Sequence, residues 1–288
     1  MDENLHIFLH VATMGRYQEV LDATLAAISG SALQSRASSI EVHVVGEGPV
    51  TVSVPQVLLV REDKNVARYE FSTLTALRDR ALHDPDSRIL YLNCLGGRYV
   101  GPGWDIRARW RDLLNYLLIE RFEACLDALD NQDVCGVDWS PEPLPHMTSN
   151  NWWARGDYIA KLSPPDSYQL EIVKADFSAY GARWEDYEVK KRHAGEFWIG
   201  SGPRPRPFSM FPLAQLGLPK GEFGTVSWWD LPGVDWARAA RRASENNLRG
   251  MTDLRFSALR ARFWIRSVLR RLKALVRGRS TKVELGGV

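Results

Sequence analysis

The residues of this 288-residue chain with most to offer a ligand lie in short clusters. Asn150-Asn151-Trp152-Trp153 sets two amides beside two indoles, with His146 a few residues upstream. A sugar ring offers hydroxyls to amides and C–H faces to aromatic rings, so the pairing suits carbohydrate; Trp rings are also core anchors. One indole is therefore expected in the core and the other on a cleft. His146 is either a polar contact there or a structural hydrogen-bonding residue. Gly96, Gly97, Gly101 and Gly103 make a glycine-rich loop, whose backbone amides can approach a phosphate closely. The plain alternative is a flexible surface loop. No G-x-x-x-x-G-K-[ST] and no G-x-G-x-x-G occurs, so neither a P-loop nor a dinucleotide fingerprint supports the phosphate reading.

Asp138, Glu185, Asp186 and Glu196 are carboxylates able to take a proton from a hydroxyl. Glu70 reads as helical and structural. Asp84-Pro85-Asp86 is an Asp-x-Asp, but it precedes a strand and reads as a turn. His6 and His10 fall on one side of a strand without a third metal ligand. Cys94, Cys125 and Cys135 are odd in number and lack C-x-x-C spacing. They read as buried thiols in a reducing compartment, not as a disulfide framework or a zinc site.

These groups need a frame. Leu5 to Ala12 is a continuous apolar run, as a strand covered on both faces requires. Tyr17 to Ser29 carries helical spacing through Val20, Leu21, Leu25 and Ile28, with Gly30 as C-cap. Strands are expected at Ile40 to Gly46, Gln56 to Val60, Arg88 to Leu92 and Val134 to Val137. Helices are expected at Ala67 to Leu82 and, as one long element, Arg107 to Leu129. Strands alternating with helices predict an α/β fold with a mainly parallel sheet flanked by helices. Ligands of such sheets bind beyond the carboxyl ends of the strands. That selects the turn Thr13 to Tyr17 (Thr13, Met14, Gly15, Tyr17), the segment from Gly46, and Asn93 to Gly97 (Asn93, Gly96, Gly97). The second half is richer in Trp, Gly and Pro and less regular, up to a short helix at Asp235 to Asn246.

Net charge is +2, yet between Arg255 and Arg279 there are nine Arg or Lys and no Asp or Glu, against an excess of acid elsewhere. A helix from Thr252 to Val276 would be amphipathic and basic, with Phe256, Phe263, Trp264 and Ile265 interleaved. Such a face over residues 252–279 suits an anionic membrane surface. A packed helix with a solvated basic side competes with it, and nucleic acid is disfavoured because no recognised motif accompanies the arginines. The expected division is a body over residues 1–235 and a basic helical extension over 236–288. With no basic n-region at the start and no run of about 18 apolar residues, the sequence reads as cytoplasmic, or peripheral to the inner face of the membrane.

Several segments together resemble a family of bacterial glycosyltransferase-like proteins. They are HVATMGRYQEV (residues 10–20), YEFSTLTAL (69–77), ILYLNCLGG (89–97), VCGVDW (134–139), HMTSNNWWARGDYI (146–159) and EFWIGS (196–201), in the family's order. The third stands in the place of that family's Tyr-Leu-His-Thr-Lys-Gly, and the fifth looks like its Asn-Phe-Trp-Trp-Ala signature. The resemblance implies a GT-A-like fold, a nucleotide-sugar donor bound at the three loops, and a glycan or lipid-linked acceptor near His146, Asn150, Asn151, Trp152 and Trp153. Glu196 is then the favoured base, with Asp138 second: the apolar neighbours of Glu196 would raise its pKa, although an ion pair with Arg183 or Arg192 competes. Mn or Mg is the cofactor such a fold commonly uses, but no Asp-x-Asp stands at the expected position. Asn93 and Leu95 occupy the places of the family's His and Lys. The alternatives are a catalytically silent carbohydrate- or nucleotide-binding protein recruited to the membrane, and a scaffold acting through its basic helix.

Overall fold

Leu5–Ala12 (β1) is apolar except for the buried His6 and His10, because helices cover both of its faces. Leu5, Ile7, Leu9 and Val11 enter one core and Phe8 the other. The computed structural model describes residues 4–94, 96–98, 100–101 and 104–210. The helices expected at 235–246 and 252–276, the boundary at 235/236 and the basic face over 252–279 lie outside those residues.

After β1 the chain forms Tyr17–Ser29 (α1), Leu33–Arg36 (α2), Ala37–Val45 (β2), Val57–Asp63 (β3), Phe71–His83 (α3) and Arg88–Asn93 (β4). Trp104–Asn115 (α4), Phe122–Leu129 (α5), Val134–Gly136 (β5), Trp139–Ser140 (β6), His146–Met147 (β7) and Trp152–Arg155 (β8) follow. Gly156–Ile159 (α6), Pro165–Lys174 (α7), Tyr187–Trp198 (α8) and Pro207–Ser209 (β9) complete the described chain. A seven-stranded sheet runs β3-β2-β1-β4-β8-β5-β9, and β6 and β7 pair separately. The β3, β2, β1 and β4 strands are mutually parallel, and β5 is parallel to β9. Only β8 runs against its neighbours, β4 and β5. The protein is thus α/β, with a mainly parallel sheet between helical layers.

The two layers follow from side-chain alternation. Leu90, Leu92, Cys135 and Trp153 join α1, α4 and α5 on one face. Ile89, Tyr91, Val134 and Trp152 join α3, α6, α7 and α8 on the other. Trp152 and Trp153 are successive residues of β8, so each fills a different core, and both are fully buried.

Two helices differ from the sequence expectation. The segment expected as Ala67 to Leu82 is broken: Val66–Arg68 is a separate 3-10 turn, and Tyr69 adopts φ +52°. Only then does α3 start, with Glu70 at its N-cap. The long helix expected from Arg107 to Leu129 is interrupted by a π-turn at Tyr116–Glu120, where Arg121 N donates to Tyr116 O at 3.0 Å. Its apolar face stays continuous across the break, which is why periodicity reads it as one element.

Helix α8 owes its sharp start to Asp186, whose carboxylate accepts from Val189 N at 3.0 Å. Asp186→Ala is expected to cost about 1 kcal/mol, and Asp186→Asn much less. A lower urea midpoint at unchanged slope is the reading that checks it.

Candidate active site at the carboxyl edge of the sheet

From β1 the chain moves outward to β2 and β3, then returns across β1 to form β4. The strand order therefore reverses between β1 and β4, and the crevice beyond their carboxyl ends is where open α/β sheets take ligands. Three loops meet there. Thr13 N donates to Val45 O at 2.9 Å, and Gly48 N donates to Thr13 Oγ1 at 3.1 Å. The Tyr17 hydroxyl donates to Pro49 O at 2.7 Å, and Arg16 N donates to Gly97 O at 2.5 Å. Gly15, at φ +63°, brings its Cα so close to the third loop that a Cβ would lie 2.5 Å from Gly97 O. Only glycine satisfies both the left-handed conformation and that approach. Thr13, Met14, Gly15, Tyr17, Asn93, Gly96 and Gly97 are thus brought to one edge. Met14 is exposed, while the hydroxyls of Thr13 and Tyr17 serve to join the loops.

The amide cluster does a different job from the one expected. Asn93 N donates to Asn151 Oδ1 at 2.7 Å, and Asn93 Nδ2 donates to the carbonyls of Ser149 and Asn150, each at 2.9 Å. Asn151 Nδ2 donates to Ser149 O at 3.1 Å. Asn150 Nδ2 donates to Glu70 Oε2 at 2.7 Å, and Asn150 Oδ1 accepts from Trp152 Nε1 at 2.9 Å. Asn150 and Asn151 are both buried. Their amides seal β4 against the turn before β8, where Ser149 and Asn150 both have positive φ. Neither Trp152 nor Trp153 presents a ring to solvent, because β8 lies inside the sheet with cores on both sides. That corrects the expectation that one indole lines a cleft. His146 is also buried; its Nδ1 donates to Leu144 O at 2.7 Å and its ring meets Phe197 edge-on. Burial pushes its pKa down.

The carboxyl group that stands out is Glu70, which the sequence reads as structural. Its Oε2 accepts from Asn150 and from the Tyr91 hydroxyl, which forms a short hydrogen bond with it. Gly195 of α8 leaves it space: a Cβ there would fall 2.6 Å from Glu70 Oε1. Burial, reinforced by the charge of Glu196, raises the Glu70 pKa to about 7; Tyr91, Arg192 and Asn150 pull the other way. Glu196 behaves oppositely to expectation. Burial pushes its carboxyl up, but His193, Arg192 and His146 outweigh that and hold it at about 2. The partner is His193, with Nδ1 3.0 Å from Glu196 Oε1, in addition to the Arg192 charge. Two carboxyls with pKa values driven apart are the usual signature of divided acid and base roles. Asp138 lies in the turn between β5 and β6, where its carbonyl accepts from Thr148 N at 2.8 Å. Asp186 is engaged as the α8 cap, and Glu185 accepts from Phe177 N and Lys190 Nζ. Glu70 could have been found from sequence only through its place in the YEFSTL segment, since periodicity does not register the break at Tyr69.

A second set of residues missed by sequence reasoning is cationic. Arg107 and Arg111, one turn apart on α4, lie against Gly96: a Cβ on Gly96 would be 2.9 Å from Arg107 Cδ and 3.2 Å from Arg111 Nη1. Their i, i+4 spacing was the available signal. No such convergence of anionic or imidazole ligands exists: among the described residues no three His, Cys, Asp or Glu side chains are grouped to hold a metal ion. Asn93, Cys94, Gly96 and Gly97 offer no carboxylate at the end of β4, and Asp84 and Asp86 sit in the turn at its other end, where Ser87 N donates to Asp84 O. Among the described residues, the end of β4 therefore presents no ligand set for Mn or Mg. The thiols of Cys125 and Cys135 are buried and free, and Cys94 is half-buried. His6 and His10 do share a face, where they bond Ser39 and Thr73.

The fold and this edge define an α/β protein whose loops converge at the switch point of a mainly parallel sheet. The chain belongs to the family described as a domain of unknown function (DUF8361), which matches residues 6–273. No curated protein matches it in sequence. Among solved structures it is similar to a crystal structure of 4-diphosphocytidyl-2C-methyl-D-erythritol synthase, with 14% identity and a TM-score of 0.38 over 88% of this chain and 100% of that one. No helix among the described residues is long and apolar enough to cross a membrane.

Proposed function

We propose that the protein transfers a glycosyl unit from a nucleotide-sugar donor to a glycan or lipid-linked acceptor at the carboxyl edge of the sheet. The observation carrying this reading is Glu70, a carboxyl poised near pH 7 beside the loops at the switch point. A base of that pKa is matched to neutral-pH proton transfer. In the proposed step the acceptor hydroxyl loses its proton to Glu70 as its oxygen bonds to the anomeric carbon. The bond from that carbon to the donor phosphate breaks, and the nucleoside diphosphate leaves with the negative charge. Glu196, already charged, raises the affinity of Glu70 for that proton. The basic segment over residues 252–279 supplies the reason for favouring an acceptor at an anionic membrane.

A panel of nucleotide sugars tested for thermal stabilisation and for turnover checks the reading. A specific donor is expected to raise the melting temperature by mass action and to be consumed when acceptor is present. Absence of any shift across the panel overturns it. The internal commitment of Asn150, Asn151, Trp152 and Trp153 favours a second reading, a binding protein without catalysis. Stabilisation by a donor that is never consumed would select that reading.

A further inference from the structure

Three arginines, Arg16, Arg107 and Arg111, gather around Gly96 and Trp104. Arg111 is buried, with 9% of its surface exposed. Its guanidinium lies 4.4 Å from the ring centroid of Trp104, and that of Arg16 lies 4.1 Å from the same centroid. Two cations share one indole, a contact that stabilises each by about 1 kcal/mol while their mutual repulsion remains. Burial, together with the Arg16 charge, lowers the Arg111 pKa, with Asp112, Cys94 and Glu19 acting against that. Arg107 adds a third guanidinium one turn away. Arg16 Nε and Nη2 meanwhile grip the exposed Glu19 carboxylate at 2.9 and 2.5 Å. A forked guanidinium holding two oxygens is the geometry Arg uses for phosphate.

We propose that Arg16, Arg107 and Arg111, braced by Trp104 and the Gly96–Gly97 backbone, form a diphosphate subsite that neutralises the donor and leaving group without a divalent cation. Glu19 occupies the Arg16 fork while the subsite is empty and yields it to phosphate. The proposal rests on the transferase reading for the identity of the anion; the arginine cluster itself stands independently of it. It also answers the misfit of metal at the end of β4: charge that a bound ion would supply comes from α4 and the start of α1. Stabilisation of a departing phosphate by fixed cations is among the larger contributions to phosphoryl-leaving chemistry.

Calorimetric titration of the full chain with inorganic pyrophosphate, in excess EDTA, tests it. Binding is expected in EDTA and unchanged by added Mg or Mn. Arg16→Gln and Arg111→Gln should each weaken it roughly tenfold or more, the loss of a charge-assisted hydrogen bond. Glu19→Gln should tighten it, a gain that damage to the fold cannot produce. Binding that appears only with a divalent ion, or that ignores all three substitutions, overturns the proposal. Pyrophosphate held by the arginines in a protein that turns over no nucleotide sugar would keep the subsite and remove the transferase reading. Turnover that requires Mn would do the reverse.

Discussion

Replacing Glu70 by Gln is expected to abolish most transfer, by roughly a hundredfold or more as for a lost general base, while leaving donor binding intact. It should also alter how stability depends on pH. A carboxyl whose pKa is raised by folding favours the folded state fully below its unfolded pKa and loses that contribution as pH rises through its folded value. For Glu70 the window runs from 4.5 to about 7. At full burial the effect would approach roughly 3 kcal/mol, and partial exposure reduces it. Gln keeps an oxygen to accept from Tyr91 and Asn150 but cannot ionise. The variant should therefore lose less stability than the parent between pH 5 and 8. Glu196 does not confuse the comparison, because its depressed pKa places its own loss near pH 2 to 4.5, and the Tyr91 hydroxyl, whose pKa burial raises, stays protonated across the window. A parallel pH profile for parent and variant in urea denaturation would show that Glu70 is not held protonated by the fold.

Trp153→Ala is expected to cost the fold more than any other change considered, about 4 kcal/mol, because it removes a fully buried indole from the centre of a core. Part of that loss is polar. Trp153 Nε1 donates to Leu118 O at 2.9 Å, and without it a buried carbonyl loses its partner. Trp153→Phe separates the terms: it keeps most of the ring volume and should cost only about 1–3 kcal/mol. If either variant lost ligand binding while remaining as stable as the parent, Trp153 would belong to the site and not to the core.

The parts of the fold legible in sequence are those where one local pattern decides the outcome. The largely apolar run of β1 reports a strand covered on both sides, and the spacing of Val20, Leu21, Leu25 and Ile28 reports α1 to the residue. The carboxyl-edge loops follow from alternation of strands and helices alone. What was not legible depends on partners distant in sequence. Asn150 and Asn151 read as ligands because nothing nearby shows that Asn93 and Glu70 will use their amides. Trp152 and Trp153 read as one core and one cleft residue because their place in a strand buried on both faces is set by β4 and β5. Glu70 reads as helical because the apolar period runs through Tyr69, whose positive φ has no local signature. Glu196 reads as raised by its apolar neighbours, whereas His193, one helical turn away, and Arg192 hold its carboxyl down, an effect that depends on shared burial.

The π-turn at Tyr116–Glu120 ties these features together. One residue beyond the regular helical repeat shifts everything before it by about 100° around the axis relative to everything after. Leu118 O, within the turn, accepts from Trp153 Nε1, while Trp110 and Leu113 on one side and Phe122 and Cys125 on the other still face the same core. Arg107 and Arg111, on the helix before the turn, lie against Gly96. The turn thus works as a phase shifter between packing and charge. Deleting a single residue from it would turn α4 and its arginines by about 100° relative to α5, so chain length in this stretch is fixed by the placement of Arg107 and Arg111 as much as by the core.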